Sequence, residues 1–357
     1  RLLGHKTLGL GYAVALADLL LAPFTASATA RSAGTVYPVI RNIPELYGSR
    51  PDDPSARKIG AYILYVAVAS ASITSSLFIT ALAPNAMAIS LIAKTTNITI
   101  TWMEWFWGFA PAGLLLFSLL PLFIYKIYPP EIKEAPEAPR WAHDQLTLMG
   151  PISGKEIKLL VLVSVALSLW IFAAHFVEPA IAAGLVLVAM VLLDVVTWHQ
   201  VIGHHQGWNV FIWFATLVTL AAGLAEVKFV EWLANSIAPI VSQLGPTASI
   251  VSLVGVFYFL HYFFASITAH TASLFPVFLT VALQIPTESP KAWALFLAYT
   301  LGMMGTMTPY GGGHVAVYYG SGFIESGWFW RLGLIVSVMF FCVYITITIP
   351  WLRFLGY

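Results

Sequence analysis

Two short polar stretches stand inside very apolar segments, and both carry side chains able to hold an anion. The first is Ser27-Ala28-Thr29-Ala30-Arg31, within residues 19–40; the second is Ala269-His270-Thr271-Ala272-Ser273, within residues 257–280. Small residues and hydroxyls let backbones approach closely and leave amides free. A helix starting there carries partial positive charge, which suits a carboxylate. Arg31 adds a guanidinium shaped for bidentate carboxylate binding, and His270 a ring that carries charge conditionally. A charge at mid-membrane costs about 3 kcal/mol even on the lenient insertion scale, so such groups face a cavity or a partner. Asp18 could be that partner for Arg31, and an interhelical hydrogen bond could satisfy His270. The ligand implied is anionic, with Arg31 and His270 as candidate countercharges.

A second kind of break follows each stretch: Thr80-Ala81-Leu82-Ala83-Pro84-Asn85, and Thr306-Met307-Thr308-Pro309-Tyr310-Gly311. Pro84 and Pro309 stop helices and free carbonyls, which in broken-helix transporters hold a cation. Small residues also serve helix packing alone. Two matched pairs of breaks, in two halves of one chain, favour a midplane binding site instead.

Other reactive groups carry less. His199, His204 and His205 lie near Trp198 and Trp208 and would suggest an intramembrane metal enzyme. No carboxylate or cysteine ligand lies close by and the histidines lack a helical ligand spacing, so neither a metal nor an enzyme is expected. Asp18 and Asp194 could carry protons. His261 and His314 stand near the breaks. Gly311-Gly312-Gly313 is not a phosphate loop, because no Gly-Lys-Ser/Thr follows. Cys342 is the single cysteine, so an intramolecular disulfide is excluded.

The elements that must position these groups are set by composition. The 357 residues are 59% hydrophobic and 9% charged, with mean hydropathy +0.83, against about a quarter charged in soluble proteins. The chain is an all-α polytopic membrane protein, since lipid leaves no water for unpaired backbone groups. Its net charge of +1 gives no case for nucleic acid. Apolar runs predict spans at Leu8–Ala22, Gly60–Leu82, Trp105–Ile127, Ile157–Phe176, Ala180–Val196, Phe211–Ala225, Ser249–Phe264, Ala292–Thr306 and Leu332–Trp351. The short ones merging into breaks read as re-entrant hairpins or discontinuous helices. Two basic loops, 41–58 and 126–158, lie two crossings apart with only Lys94 basic between them. Both fall in the cytoplasm by the positive-inside rule. The chain divides into residues 1–125, a cytoplasmic linker 126–156, and residues 157–357. The first part holds the tip Ser27–Thr29 and a helix broken at Pro84. The last holds the tip Ala269–Thr271 and a helix broken at Pro309.

The residues from Leu21 to Arg31, continuing through Gly34-Thr35-Val36-Tyr37-Pro38, resemble the first Ser-Asn-Thr hairpin of the divalent-anion:sodium symporter family. Within it they are most similar to the branch of citrate/succinate, tartrate/succinate and 2-oxoglutarate/malate antiporters. Asp53–Gly60, Ala83-Pro84-Asn85, His261–Ser266, Ala269–Ala272 and Thr308-Pro309-Tyr310 fit the same branch. Relative to the family, an N-terminal portion is missing.

The resemblance implies inverted repeats, a scaffold that forms a homodimer, and a transport domain moving as an elevator. It puts the substrate between the tips Ser27, Ala28, Thr29 and Ala269, His270, Thr271. The loops with Thr80, Pro84 and Asn85, and with Thr308, Pro309 and Tyr310, take the flanking cation-site positions. Sodium-coupled members carry Asn at mid-tip, where this chain has Ala28 and His270. Ala28 has no side-chain oxygen and His270 offers nitrogen, poor for a hard cation. The expectation is sodium-independent exchange of succinate, malate, 2-oxoglutarate, citrate or tartrate, without a cofactor. The membrane is the bacterial inner membrane or the plastid inner envelope. Sodium- or proton-coupled dicarboxylate symport is the alternative.

Overall fold

Side-chain caps start α-helices at Thr101, Ser153, Thr197, Ser266 and Ser289. The structure, a computed structural model, describes residues 3–173 and 176–357. The first half runs α1 (Thr7–Leu21), a turn, a π-helical stretch (Thr29–Val36) and α2 (Tyr37–Ile40). It continues through α3 (Gly60–Leu77), α4 (Ala83–Thr96) and α5 (Trp102–Ile127). Next come α6 (Glu137–Met149), α7 (Gly154–Phe172), α8 (Pro179–Leu192), α9 (Trp198–Ile202), α10 (His205–Glu226) and α11 (Phe229–Ser242). The last part is α12 (Pro246–Phe259), α13 (Ile267–Leu283), α14 (Pro290–Ala298), α15 (Thr300–Met303), α16 (Gly313–Tyr319) and α17 (Ser326–Phe354). Thr101 with Glu104 and Ser153 with Glu156 form capping boxes that start α5 and α7.

Among the described residues there is no strand, only an isolated bridge between Lys6 and Glu134. Among the described residues, five helical stretches are long and apolar enough to cross a membrane: Thr7–Phe24, Gly60–Leu77, Trp102–Ile127, Pro246–Phe263 and Ser326–Phe354. Each coincides with a predicted span. The centre is α3, whose 18 residues are all buried. Its serines and alanines allow close approach, and α1, α5, α15 and α16 pack around it.

The same order of elements occurs twice: helix, turn, helix, interrupted helix, long helix. The two copies pack reciprocally. The arm α13 lies on α4, and the π-helical arm lies on α16; α3 meets α15, and α5 meets α17.

The linker is more ordered than its Pro/Glu-rich sequence suggests. Glu137 and Trp141 lie in α6. Upstream of it, Glu131 and Ile132 amides donate to the Arg57 and Lys58 carbonyls, and Ala135 to that of His5. The two basic loops therefore meet on one side of the molecule.

Candidate functional site

The two turns are capped in one register. Ser27 Oγ accepts from the amide of Ala30 at 3.2 Å, and Ser266 Oγ from the amide of Ala269 at 3.3 Å. Superposing the caps aligns Ser27-Ala28-Thr29-Ala30-Arg31-Ser32 with Ser266-Ile267-Thr268-Ala269-His270-Thr271. This corrects the sequence pairing, which set Ala269-His270-Thr271 against Ser27-Ala28-Thr29. The second turn lies three residues earlier. Ala269, His270 and Thr271 form the first turn of α13 behind it, and Thr271 Oγ1 donates back to the Ile267 carbonyl at 2.8 Å. The residue matching Ala28 is Ile267, so both mid-turn positions are apolar. The residue matching Arg31 is His270.

Arg31 is fully buried, and its guanidinium faces protein acceptors. Nε donates to Asp18 Oδ2 at 3.1 Å. Nη1 donates to the carbonyls of Thr25 (3.0 Å) and Ala81 (2.9 Å). Nη2 meets the Ala71 carbonyl (3.3 Å), Thr74 Oγ1 (3.3 Å) and Ser75 Oγ (2.9 Å). Thr74 Oγ1 in turn donates to Asp18 Oδ2 at 2.5 Å. The sequence presents Arg31 as a direct countercharge. In the structure it is a permanent cation inside a niche of carbonyls and hydroxyls, joining α1, the first turn, α3 and the first break.

That break frees carbonyls, and side chains satisfy them, as an apolar surrounding demands. Phe78 and Leu82 are extended, and Pro84 stands in the first turn of α4. Asn85 Nδ2 donates to the carbonyls of Ser75 (2.8 Å) and Phe78 (3.1 Å). Trp105 Nε1 donates to that of Ser76 at 2.9 Å. Thr80 Oγ1 donates to the Pro23 carbonyl at 2.7 Å, tying the break to the first turn. Asn85 Oδ1 is buried without a partner.

The second break differs. Thr308 is extended and buried, and its hydroxyl has no partner. Pro309 follows it, also buried. Tyr310 donates through its hydroxyl to the Tyr262 carbonyl at 2.9 Å. His261 Nε2 lies 2.7 Å from the Gly311 carbonyl, and since a carbonyl only accepts, Nε2 carries the hydrogen. His270 is enclosed by Phe257, Phe264 and His261, with ring centroids at 4.6, 5.0 and 5.2 Å. Neither of its ring nitrogens has a hydrogen-bond partner. Arg31 and His270 thus occupy separate pockets, each built by its own half.

Between the turns runs the stretch from Gly305 to Gly313. A Cβ on Gly313 would come within 2.7 Å of Thr29 Oγ1, and one on Gly312 within 3.8 Å of Ile267 Cδ1. The glycines therefore let both turns approach one backbone. Ala71, Thr74 and Ser75 on α3 complete the Arg31 niche and are not among the residues read from the sequence, although the run from Ser70 to Ser76 inside an apolar span was the available signal. A separate cavity of about 870 Å³, lined by residues including Asp52, Arg57, Tyr128, Glu325 and Trp328, opens beside the basic loops and includes no turn residue. Among the described residues no three His, Cys, Asp or Glu side chains gather as a metal site.

Capped turns facing interrupted helices, set among apolar spans, define a multi-pass helical membrane protein. Residues 1–357 match the family described as sodium:sulfate symporter transmembrane region, and the chain belongs to this family of divalent-anion:sodium symporters. Over 350 residues it is 40% identical to an L-tartrate/succinate antiporter of Shigella sonnei (strain Ss046), covering 98% of this chain and 72% of the relative. An L-tartrate/succinate antiporter of Escherichia coli (strain K12) matches with the same identity and coverage.

Proposed function

We propose that this chain is a secondary transporter that exchanges di- or tricarboxylates across a bacterial inner membrane without sodium. The observation that carries the sodium-free reading is the guanidinium of Arg31 on the carbonyls of Thr25, at the first turn, and Ala81, at the first break. Carbonyls freed at a helix break are where a transported cation would bind. Here a side-chain cation fills that role permanently. It cannot leave with the substrate, and Asp18 already pairs its charge, so this site supplies no mobile cation to drive net uptake. Such a carrier returns loaded, which is exchange. The relatives' names, as antiporters, agree with exchange.

In the proposed site the substrate lies between the two turns. Ser27 and Thr29, with the amides near Ala28, serve one carboxylate. Ser266 and Thr268, backed by Ala269, His270 and Thr271, serve the other. The reciprocal packing of α13 on α4 and of the π-helical arm on α16 supports two inverted repeats, residues 1–125 and 157–357, joined by the linker 126–156. Re-entrant hairpins, an elevator motion and a homodimeric scaffold complete the proposal and rest on the family resemblance.

Proteoliposomes test the exchange reading. Labelled succinate should enter vesicles preloaded with unlabelled succinate, malate, tartrate, 2-oxoglutarate or citrate, and should not enter empty ones. Equal uptake into empty vesicles under a sodium gradient would overturn it.

Cation-coupled symport is the second reading, and the unpartnered Thr308 hydroxyl and Asn85 Oδ1 favour it. Sodium-dependent thermal stabilisation of the purified protein would select it.

A further inference from the structure

The cavity of about 870 Å³ beside the basic loops lies apart from the proposed substrate site. Its walls are the loop carrying Asp52 and Arg57, the residues just after α5, and the turn that leads into α17. Both α5 and α17 are long and apolar enough to span, so the cavity sits where two spans meet the headgroup layer. Tyr128 and Trp328 stand at that level, as interfacial aromatics do. Backbone bonds hold the walls together. The Asp52 amide donates to the Gly322 carbonyl at 2.8 Å, and the Glu131 amide to the Arg57 carbonyl at 3.1 Å.

The lining carries both signs of charge, kept apart. The carboxylates of Asp52, Asp53, Glu131 and Glu325 face it, and so does the guanidinium of Arg57. Among the described residues Arg57 forms an ion pair with none of them. Its guanidinium lies over the Tyr128 ring, 4.0 Å from the centroid, and 5.9 Å from that of Trp328. Nη2 donates to the Pro129 carbonyl at 3.3 Å, and Nε has no hydrogen-bond partner.

We infer that this cavity holds the zwitterionic headgroup of an ethanolamine phospholipid, with the phosphate on Arg57 and the ammonium on Glu131 and Glu325. An anion alone would meet the carboxylates, and a cation alone would meet the guanidinium; a head carrying both charges satisfies both. A guanidinium fits phosphate oxygens in its planar fork, and a primary ammonium brings three donors for the carboxylates. A quaternary ammonium binds best on free aromatic faces. Here Arg57 lies over Tyr128, and Arg331 lies over Trp328 at 5.5 Å, so the carboxylates remain and select a head with N–H groups. The volume falls in the range of about 300–1,000 Å³ usual for small-molecule sites. Free phosphoethanolamine carries the same charges, but the position at the ends of two spans favours the lipid. The head would bridge the first basic loop and α17, one from each half of the chain, and so stabilise the fold by mass action. None of this rests on the exchange reading.

Lipid titration of the delipidated protein in detergent tests the inference, with thermal unfolding as the readout. The probes are phosphatidylethanolamine, phosphatidylcholine and phosphatidylglycerol of the same acyl chains, and soluble phosphoethanolamine. Phosphatidylethanolamine should reach half-maximal stabilisation at about a tenfold lower concentration than either other lipid. The double variant Glu131→Gln, Glu325→Gln should lose its preference over phosphatidylcholine. Arg57→Gln should weaken phosphatidylethanolamine by about tenfold. If Arg57→Gln fails to accumulate, the double variant decides, since both of its side chains are exposed. Equal stabilisation by the three lipids, or a preference retained in the double variant, would overturn the inference. Soluble phosphoethanolamine acting at the same concentration as the lipid would overturn the assignment to a lipid.

Discussion

Arg31 and His270 occupy the same step of two helices that Ser27 and Ser266 cap in the same register. One half buries a guanidinium against a carboxylate and three carbonyls. The other buries an imidazole among aromatic rings. Equivalent positions thus carry unequal charge chemistry, and the asymmetry sets what each half contributes.

The Arg31–Asp18 pair has no solvent contact. Removing one partner leaves an uncompensated buried charge, so Arg31→Met should destabilise the protein by about 3–5 kcal/mol. The double variant Arg31→Met, Asp18→Leu should recover most of that, because apolar pairs of similar volume replace buried ion pairs at little cost. Thermal unfolding in detergent reads both. Transport should be lost in both variants, since the internal cation is gone in each.

Gly302 lets α15 lie directly on α3. An added Cβ would sit 2.5 Å from the Ser76 amide nitrogen and 2.8 Å from the Ser72 carbonyl oxygen. These are backbone atoms, which cannot swing away. Gly302→Ala should therefore cost about 1–3 kcal/mol, as overpacking does. The unfolding temperature of the purified variant checks this.

Outside the spans, Tyr47 links the first basic loop to α6, accepting from the Ala138 amide at 3.0 Å. Burial pushes its phenol up to about 12 from the ordinary 10.0. A folded value above the unfolded one means the contribution is full below pH 10 and is lost as pH rises through about 12. Wild type should lose more stability than Tyr47→Phe between pH 9 and 12, as measured by paired thermal unfolding across that range.

Much of this architecture was legible because apolar runs and prolines state it openly. Gly60–Leu82, for instance, resolves into α3 and a break at the residues its polar tail marks. The register of the second turn was not legible. Its capping Ser266 is followed by Ile267, so the polar run looks as if it starts at Ala269, and only the amide-to-hydroxyl bond reveals the cap. Asp18 was foreseen as a partner for Arg31. The carbonyls of Ala71 and Ala81 were not, because backbone groups from remote elements leave no mark on residue type. The helical part of the linker hid behind prolines, of which Pro139 is tolerated in the first turn of α6.

The central claim is that Arg31 serves as the built-in cation of the first site. The most direct test is the rate of succinate exchange in preloaded proteoliposomes, with sodium on both sides or replaced throughout by choline. The account predicts equal rates in the two media. A rate that collapses in choline and returns with added sodium would contradict it.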